Sequence, residues 1–200
     1  AWLARNAPRV RVVLTFTITG ANVHEMLPSA KLAAELGVAA IRFTPFHENL
    51  QHRYKPSAEL EPFRLRPGQL PEVEAALAET RAFLRTTSLS TNSDAYLDAI
   101  PAFFRGGVPH NCYAGTMFAS IDPFGNLFPC YDHVGRVNVR DHGLAAAFRS
   151  PEMDRLRAEV LACDHRCWNV GNAEPSLRAD PSFALRHVPQ LLREMLFFLA

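Results

Sequence analysis

The sequence predicts an α/β fold over its first half, followed by a small α+β domain made of a β-hairpin and helices. Three observations lead there. A β-branched run, a helical stretch and a second apolar run succeed one another between residues 10 and 43. An amphipathic helix begins at Leu70. All four cysteines, Cys112, Cys130, Cys163 and Cys167, fall in the second half, and the first two bracket a hairpin signal.

Residues 10–19, VRVVLTFTIT, are β-branched and aromatic and read as a buried strand. Gly20-Ala21-Asn22 turns out of it. Residues 23–36 read as a helix with Asn22 as N-cap and Glu25 at its third position. Pro28 is expected to kink or restart this helix, which makes 28–36 its firmer part. Gly37 closes it as the residue after the cap. Residues 38–43, VAAIRF, form the second strand. A strand, a helix and a strand at this spacing make one βαβ unit, so the two strands are expected to be parallel with a right-handed crossover.

Residues 44–67 are polar and carry Pro45, Pro56, Pro62 and Pro67. Ligands of parallel α/β folds sit at the carboxyl ends of strands. Phe46, His47, Glu48, Asn49 and His52 follow such an end directly, although an ordinary solvated loop is the simpler reading. Residues 70–86 form a helix with Pro71 in its first turn and a stripe of Val73, Ala76, Leu77, Thr80, Phe83 and Leu84 facing the core. Residues 88–91 read as a short strand, and 93–104 as a short helix interrupted by Pro101. Gly106-Gly107 marks the boundary before the cysteine domain.

In that domain 116–121 reads as a strand, and Asp122-Pro123-Phe124-Gly125 supplies a turn. Leu127 and Phe128 begin the return strand, so Cys112 and Cys130 approach each other near the open ends of the hairpin. Gly135 precedes a third strand. Residues 144–148 and 151–161 read as helices, the latter with Ser150 as N-cap and Pro151 at its start. Cys163 and Cys167 are spaced i, i+4, which on a helical turn places both sulfurs on one face. Two pairs can then converge on one centre. Four thiolates can hold a zinc ion or an iron–sulfur cluster. A zinc ribbon has C-x2-C knuckles, which this chain lacks. Disulfides do not suit a chain with no mark of secretion, and four unrelated buried thiols are the plainest alternative. His133, His142 and His165 lie nearby and are read as surface or supporting groups. Residues 191–199 form an apolar packing helix.

Composition narrows the function classes. Hydrophobic content of 48% is that of a globular protein. A net charge of +1 gives no electrostatic case for nucleic acid or an acidic membrane. Only Lys31 and Lys55 are lysines; the remaining basic side chains are arginines. No signal-peptide pattern and no apolar run of membrane-spanning length occurs, so a soluble cytoplasmic location is the default expectation. The chain starts at Ala1 and enters a strand pattern at once, which reads as a fragment of a larger protein.

The pattern C-x12-G-x4-C at Cys112, Gly125 and Cys130, with its GNLFPC ending and the later cysteine pair, resembles the Twitch domain of radical S-adenosylmethionine (SAM) enzymes, the short form of the SPASM domain. The second pair departs from the family, which has C-x2-C where this chain has C-x3-C. The resemblance extends back to about residue 9, where LGVAAIRFTP is similar to late barrel strands of the family. It implies the last βα units of a partial (β/α)6 barrel over 1–107, a Twitch domain over 108–170 and a C-terminal packing helix in 171–200. It also implies that Cys112, Cys130, Cys163 and Cys167 bind an auxiliary 4Fe–4S cluster. The expected role is electron transfer during oxidation or radical modification of a peptide or small molecule, with a flavodoxin or ferredoxin as electron donor. SAM and a second 4Fe–4S cluster are expected only in the full-length protein. Residues 163–170, CDHRCWNV, imitate the SAM-cluster motif C-x3-C-aromatic-x-C, but Val170 stands where its third cysteine belongs, so the chain alone is not expected to cleave SAM. The alternative is a four-cysteine zinc module for structure or interaction, without redox activity.

Overall fold

The computed structural model describes residues 2–7, 10–47, 58–106, 111–130, 132–135, 137–164, 167–181, 185, 188 and 192. The protein is a mixed α/β chain with two small sheets. It divides into two compact units, one of Ala1–Phe46, Pro56–Val108 and His187–Ala200, the other of His47–Lys55 and Pro109–Arg186. Among the described residues no helix is long and apolar enough to cross a membrane.

The first unit opens with a short helix α1 (Trp2–Asn6), then β1 (Val13–Ile18), α2 (Met26–Leu36) and β2 (Ala40–Pro45). β1 and β2 are parallel, in register from Val13 opposite Ala40 to Ile18 opposite Pro45, and α2 packs against both strands. The expected βαβ pairing is therefore present. After α3 (Leu70–Leu84) the chain returns beside β2: Ser90 bridges Ala40 in parallel, with Ile41 N–H to Ser90 O at 3.0 Å and Ser90 N–H to Ala39 O at 3.2 Å. The expected strand at 88–91 is reduced to this one bridge. α4 (Asp94–Phe104) then packs on β2 and α3. Ile18, Met26, Ile41, Phe43, Val73, Tyr96 and Ile100 are fully buried in this unit. Each such side chain contributes roughly 1.5–3 kcal/mol of burial.

Three local expectations yield to their surroundings. Asn22 does not cap α2. Its side chain turns back, accepting from Thr19 N–H at 2.8 Å and donating to Thr17 O at 2.9 Å. Asparagine readily satisfies nearby backbone in this way instead of serving the helix. The helix accordingly starts with a 3₁₀ turn, Val23–Glu25, before Met26. Pro28 falls in the first turn of α2, where a backbone N–H has no intrahelical partner, so α2 runs unbroken. Pro101 does not interrupt α4 either. An interior proline costs about 3 kcal/mol, and burial of Tyr96, Leu97 and Ile100 on the same helix outweighs it. Ser93 caps α4 by accepting from Tyr96 N–H at 3.1 Å.

The second unit holds β3 (Ser120–Ile121), β4 (Asn126–Phe128) and β5 (Val137–Asn138) as an antiparallel sheet in that order. Helices α5 (Val139–His142), α6 (Leu144–Phe148), α7 (Pro151–Leu161) and α8 (Val170–Ala179) complete it. Leu127, Val137, Ala147, Met153 and Leu156 form its core. The strand expected at 116–121 shrinks to Ser120–Ile121, because Gly115 at φ 79° turns the chain and donates to Phe118 O at 2.7 Å. Ser150 caps α7 as expected, accepting from Met153 N–H at 3.3 Å. Apart from Leu192, the apolar segment 191–199 lies outside the described residues.

Gly20 sits where the chain leaves β1, and a Cβ there would lie 1.9 Å from Arg64 O. Backbone cannot rotate away as a side-chain tip can. Gly20→Ala is expected to destabilise the first unit by about 1–3 kcal/mol, the usual cost of overpacking. A urea melt followed by circular dichroism measures it; an unchanged midpoint would mean that the two segments separate without cost.

Candidate metal centre at the four cysteines

The hairpin is built around Asp122. Its carboxylate accepts from Phe124 N–H and Asn126 N–H, both at 2.9 Å, and from the Asn126 side chain at 2.8 Å. The Asn126 side-chain and backbone bonds lead in holding the Asp122 carboxyl below its usual range. Gly125 takes φ 91°, and a Cβ there would meet Asn138 Oδ1 at 2.8 Å. The glycine of the C-x12-G-x4-C pattern is thus required by both backbone angle and space. β4 then delivers Cys130 two residues after its last member.

Each cysteine is fixed through a neighbour. Tyr113 N–H, next to Cys112, donates to Ser176 Oγ of α8 at 3.1 Å. Cys130 forms an antiparallel bridge with His133, whose N–H donates to Cys130 O at 3.2 Å. Cys163 N–H bonds Val160 O at 3.2 Å just beyond α7. Trp168, buried beside Cys167, donates its N–H to His47 Nε2 at 2.8 Å. Asn169 caps α8 by accepting from Gly171 N–H at 2.8 Å.

Cys163 and Cys167 do not share a helical turn. α7 ends at Leu161, α8 begins at Val170, and the described residues between them are not helical. The two thiols nevertheless meet the hairpin pair: Cys112, Cys130, Cys163 and Cys167 all line one cavity of about 70 Å³, together with Asp132 and His133. No disulfide joins any of them.

Burial pushes the Cys130 thiol up; the backbone N–H groups of Asp132 and His133 oppose this, and the charges of Asp132 and Cys112 add to it. Cys167 is pushed up to about 12, first by burial and next by the charge of Cys112, with smaller repulsions from Cys130 and Cys163 and relief from the Asn169 N–H. The sulfurs therefore sense one another electrostatically. Backbone donors aimed at sulfur favour the thiolate form that binds metal.

Four thiols on one cavity are a donor set that suits either a zinc ion or an iron–sulfur cluster. Among the described residues no three His, Cys, Asp or Glu side chains are placed to hold one metal ion.

The other candidates separate. Phe46 packs on the Phe63 ring at 5.8 Å. Glu48, Asn49, His52 and His165 lie outside the described residues. His142 is exposed on α5 and is not in the cavity wall. The reading of sequence missed the partner of His47, which is 121 residues away in Trp168. It also missed Asp132 in the cavity wall; the hint was an acid and a histidine two and three residues after Cys130.

The Cys167 shift fixes a pH dependence for the metal-free protein. Its folded value lies above its unfolded value of 9.0. The neutral thiol thus stabilises the fold fully below pH 9, and this is lost as pH rises toward about 12. Thermal melting of metal-free protein is expected at falling temperatures across that window, with a flatter profile in Cys167→Ser. Identical profiles for the two proteins would refute the assignment.

No protein-family model, curated protein or solved structure matches the chain.

Proposed function

We propose that this chain is the C-terminal part of a radical SAM enzyme, and that its second unit carries an auxiliary 4Fe–4S cluster for electron transfer. The observation that carries the reading is the convergence of Cys112, Cys130, Cys163 and Cys167 on one cavity from a hairpin and an interhelix link. The parallel progression from β1 to β2 to Ser90, with a helix between successive members, agrees with the end of a partial (β/α)6 barrel. The proposed substrate is a peptide or small molecule, and the proposed electron partner a flavodoxin or ferredoxin. SAM would bind to a second cluster, for which this sequence has no cysteines left.

When bound, an iron–sulfur cluster supplies a centre that takes up or gives back one electron. The protein's own groups do the remaining work. Four thiols from distant segments fix the position of the site. The N–H groups of Asp132, His133 and Asn169 lower the cost of negative charge on Cys130 and Cys167. Partial burial of all four cysteines limits water at the sulfurs.

Anaerobic reconstitution with iron and sulfide tests the reading. The expected product is brown, with a broad band near ~400 nm. A colourless protein with stoichiometric zinc would instead establish the zinc module. Ligand binding is partly folding energy, so Cys130→Ala is expected to lose the cluster and loosen residues 108–170 while β1 and β2 stay protected from hydrogen exchange. In the whole enzyme the same change is expected to abolish product formation but leave 5′-deoxyadenosine formation measurable. Normal product yield without auxiliary iron would end the electron-transfer proposal.

A further inference from the structure

We infer that Arg157 and Ser176 are positioning residues of this centre: through the short arm Cys112–Gly115 they set where the Cys112 thiol stands relative to Cys163 and Cys167. The inference rests on reading the cavity as a metal centre, whether for zinc or for an iron–sulfur cluster.

The arm is attached at several points, and each leads to a different cysteine. Tyr113 N–H donates to Ser176 Oγ of α8 at 3.1 Å. α8 begins at Val170, just after Cys167. Gly115 O accepts from Arg157 Nε of α7 at 2.7 Å. α7 ends at Leu161, just before Cys163. Gly115, at φ 79°, also lies so close to Pro129 that an added Cβ would stand 2.9 Å from the proline Cβ. Pro129 is the residue before Cys130.

Both side chains are held for this task. Arg157 Nη1 pairs with Asp154 at 2.6 Å, and Nη2 donates to Phe148 O. Its guanidinium carbon stands 4.7 Å from the centre of the Phe148 ring. These contacts fix the planar fork of the guanidinium, so Nε keeps one direction, toward Gly115. Ser176 is 2% exposed, and its hydroxyl oxygen is satisfied by the Tyr113 N–H. The cluster of Leu127, Val137, Ala147, Met153 and Leu156 contains no residue of the arm or of α8. Among its members, therefore, nothing ties Cys112 to Cys167.

The test uses metal-free chain, kept anaerobic, and dibromobimane, which joins two neighbouring thiols as each sulfur displaces one bromide. Mass spectrometry of the digest identifies the joined pairs. The unaltered chain is expected to give Cys112–Cys163 and Cys112–Cys167 links. Arg157→Met is expected to lower the Cys112–Cys163 link roughly fivefold, the effect of one lost hydrogen bond, and to affect the Cys112–Cys167 link less. Ser176→Ala is expected to do the reverse. Arg157→Lys, which keeps the charge and a donor, is expected to recover part of the Cys112–Cys163 link. All proteins are compared at a temperature where their circular dichroism is the same. Ser176→Ala removes one oxygen only and carries the test where Arg157→Met fails to fold. A general loosening lowers both links alike, so equal losses in each variant, or unchanged links, overturn the positioning roles. Reconstitution with limiting iron and with sulfide is then expected to give lower iron occupancy in both variants. Occupancy equal to that of the unaltered chain overturns their role at the metal centre. Failure of the unaltered chain to bind iron and sulfide overturns the cluster reading, and the selective pattern of links then decides the positioning roles by itself.

Discussion

Four thiols that share a partly buried cavity cannot ionise together without a cation. Two unit charges ~6 Å apart repel by roughly 3 kcal/mol at an effective dielectric of about 20, and four thiolates make several such pairs. The protein responds in two ways. Burial and mutual repulsion keep Cys167 protonated far above the normal thiol range, while backbone N–H groups at Cys130 and Cys167 offset part of the cost. That balance suits a site that loads metal: protonated and stable when empty, with dipoles already in place for the charged form. The apolar core of the second unit lies elsewhere, among Leu127, Val137, Ala147, Met153 and Leu156. Metal ligation would therefore join the hairpin to the α7–α8 link through bonds that the core does not provide.

The precision of the hairpin follows from small polar groups rather than from area. β3 and β5 have two residues each and β4 three, so few ladder bonds are available. Asp122 compensates by ordering the turn through its own carboxylate. Asn138 extends the order to the third strand, donating to Phe124 O at 3.0 Å and Asn126 Oδ1 at 3.2 Å. Arg140 closes the far side by donating to Pro123 O at 3.0 Å. Gly125 cannot carry a side chain in this arrangement, since Asn138 occupies the space. The glycine and the two flanking cysteines of the pattern therefore have separate physical reasons: the glycine shapes the turn, and the cysteines line the cavity.

What could be read from sequence was what local chemistry decides. The Asp-Pro-Phe-Gly turn, the Ser150 cap with Pro151, and Gly37 at φ 65° all lie where short-range rules place them. The parallel β1–β2 pair followed from a spacing too short for anything but a crossover helix. Misreadings arose where longer-range forces won. Asn22 bonds back to β1, Pro101 is carried by buried neighbours, and the i, i+4 cysteines lie in the link between two helices. α8 was not anticipated as a separate helix; Pro175 inside it conceals its periodicity. At the candidate site the sequence pointed to the four thiols through their spacing, but had no means of showing that Asp132 and His133 share the wall of their cavity.

The contact least visible in sequence lies next to one of the four cysteines. His47 follows β2 and Phe46 directly, yet it belongs to the second unit and accepts the N–H of Trp168. To accept, Nε2 must carry a lone pair, so His47 is neutral with its proton on Nδ1 in this arrangement. Trp168 is anchored by burial, and Cys167 is the residue before it. Neither His47 nor Trp168 belongs to the Leu127–Leu156 core, so this bond holds the residue next to Cys167 independently of that core.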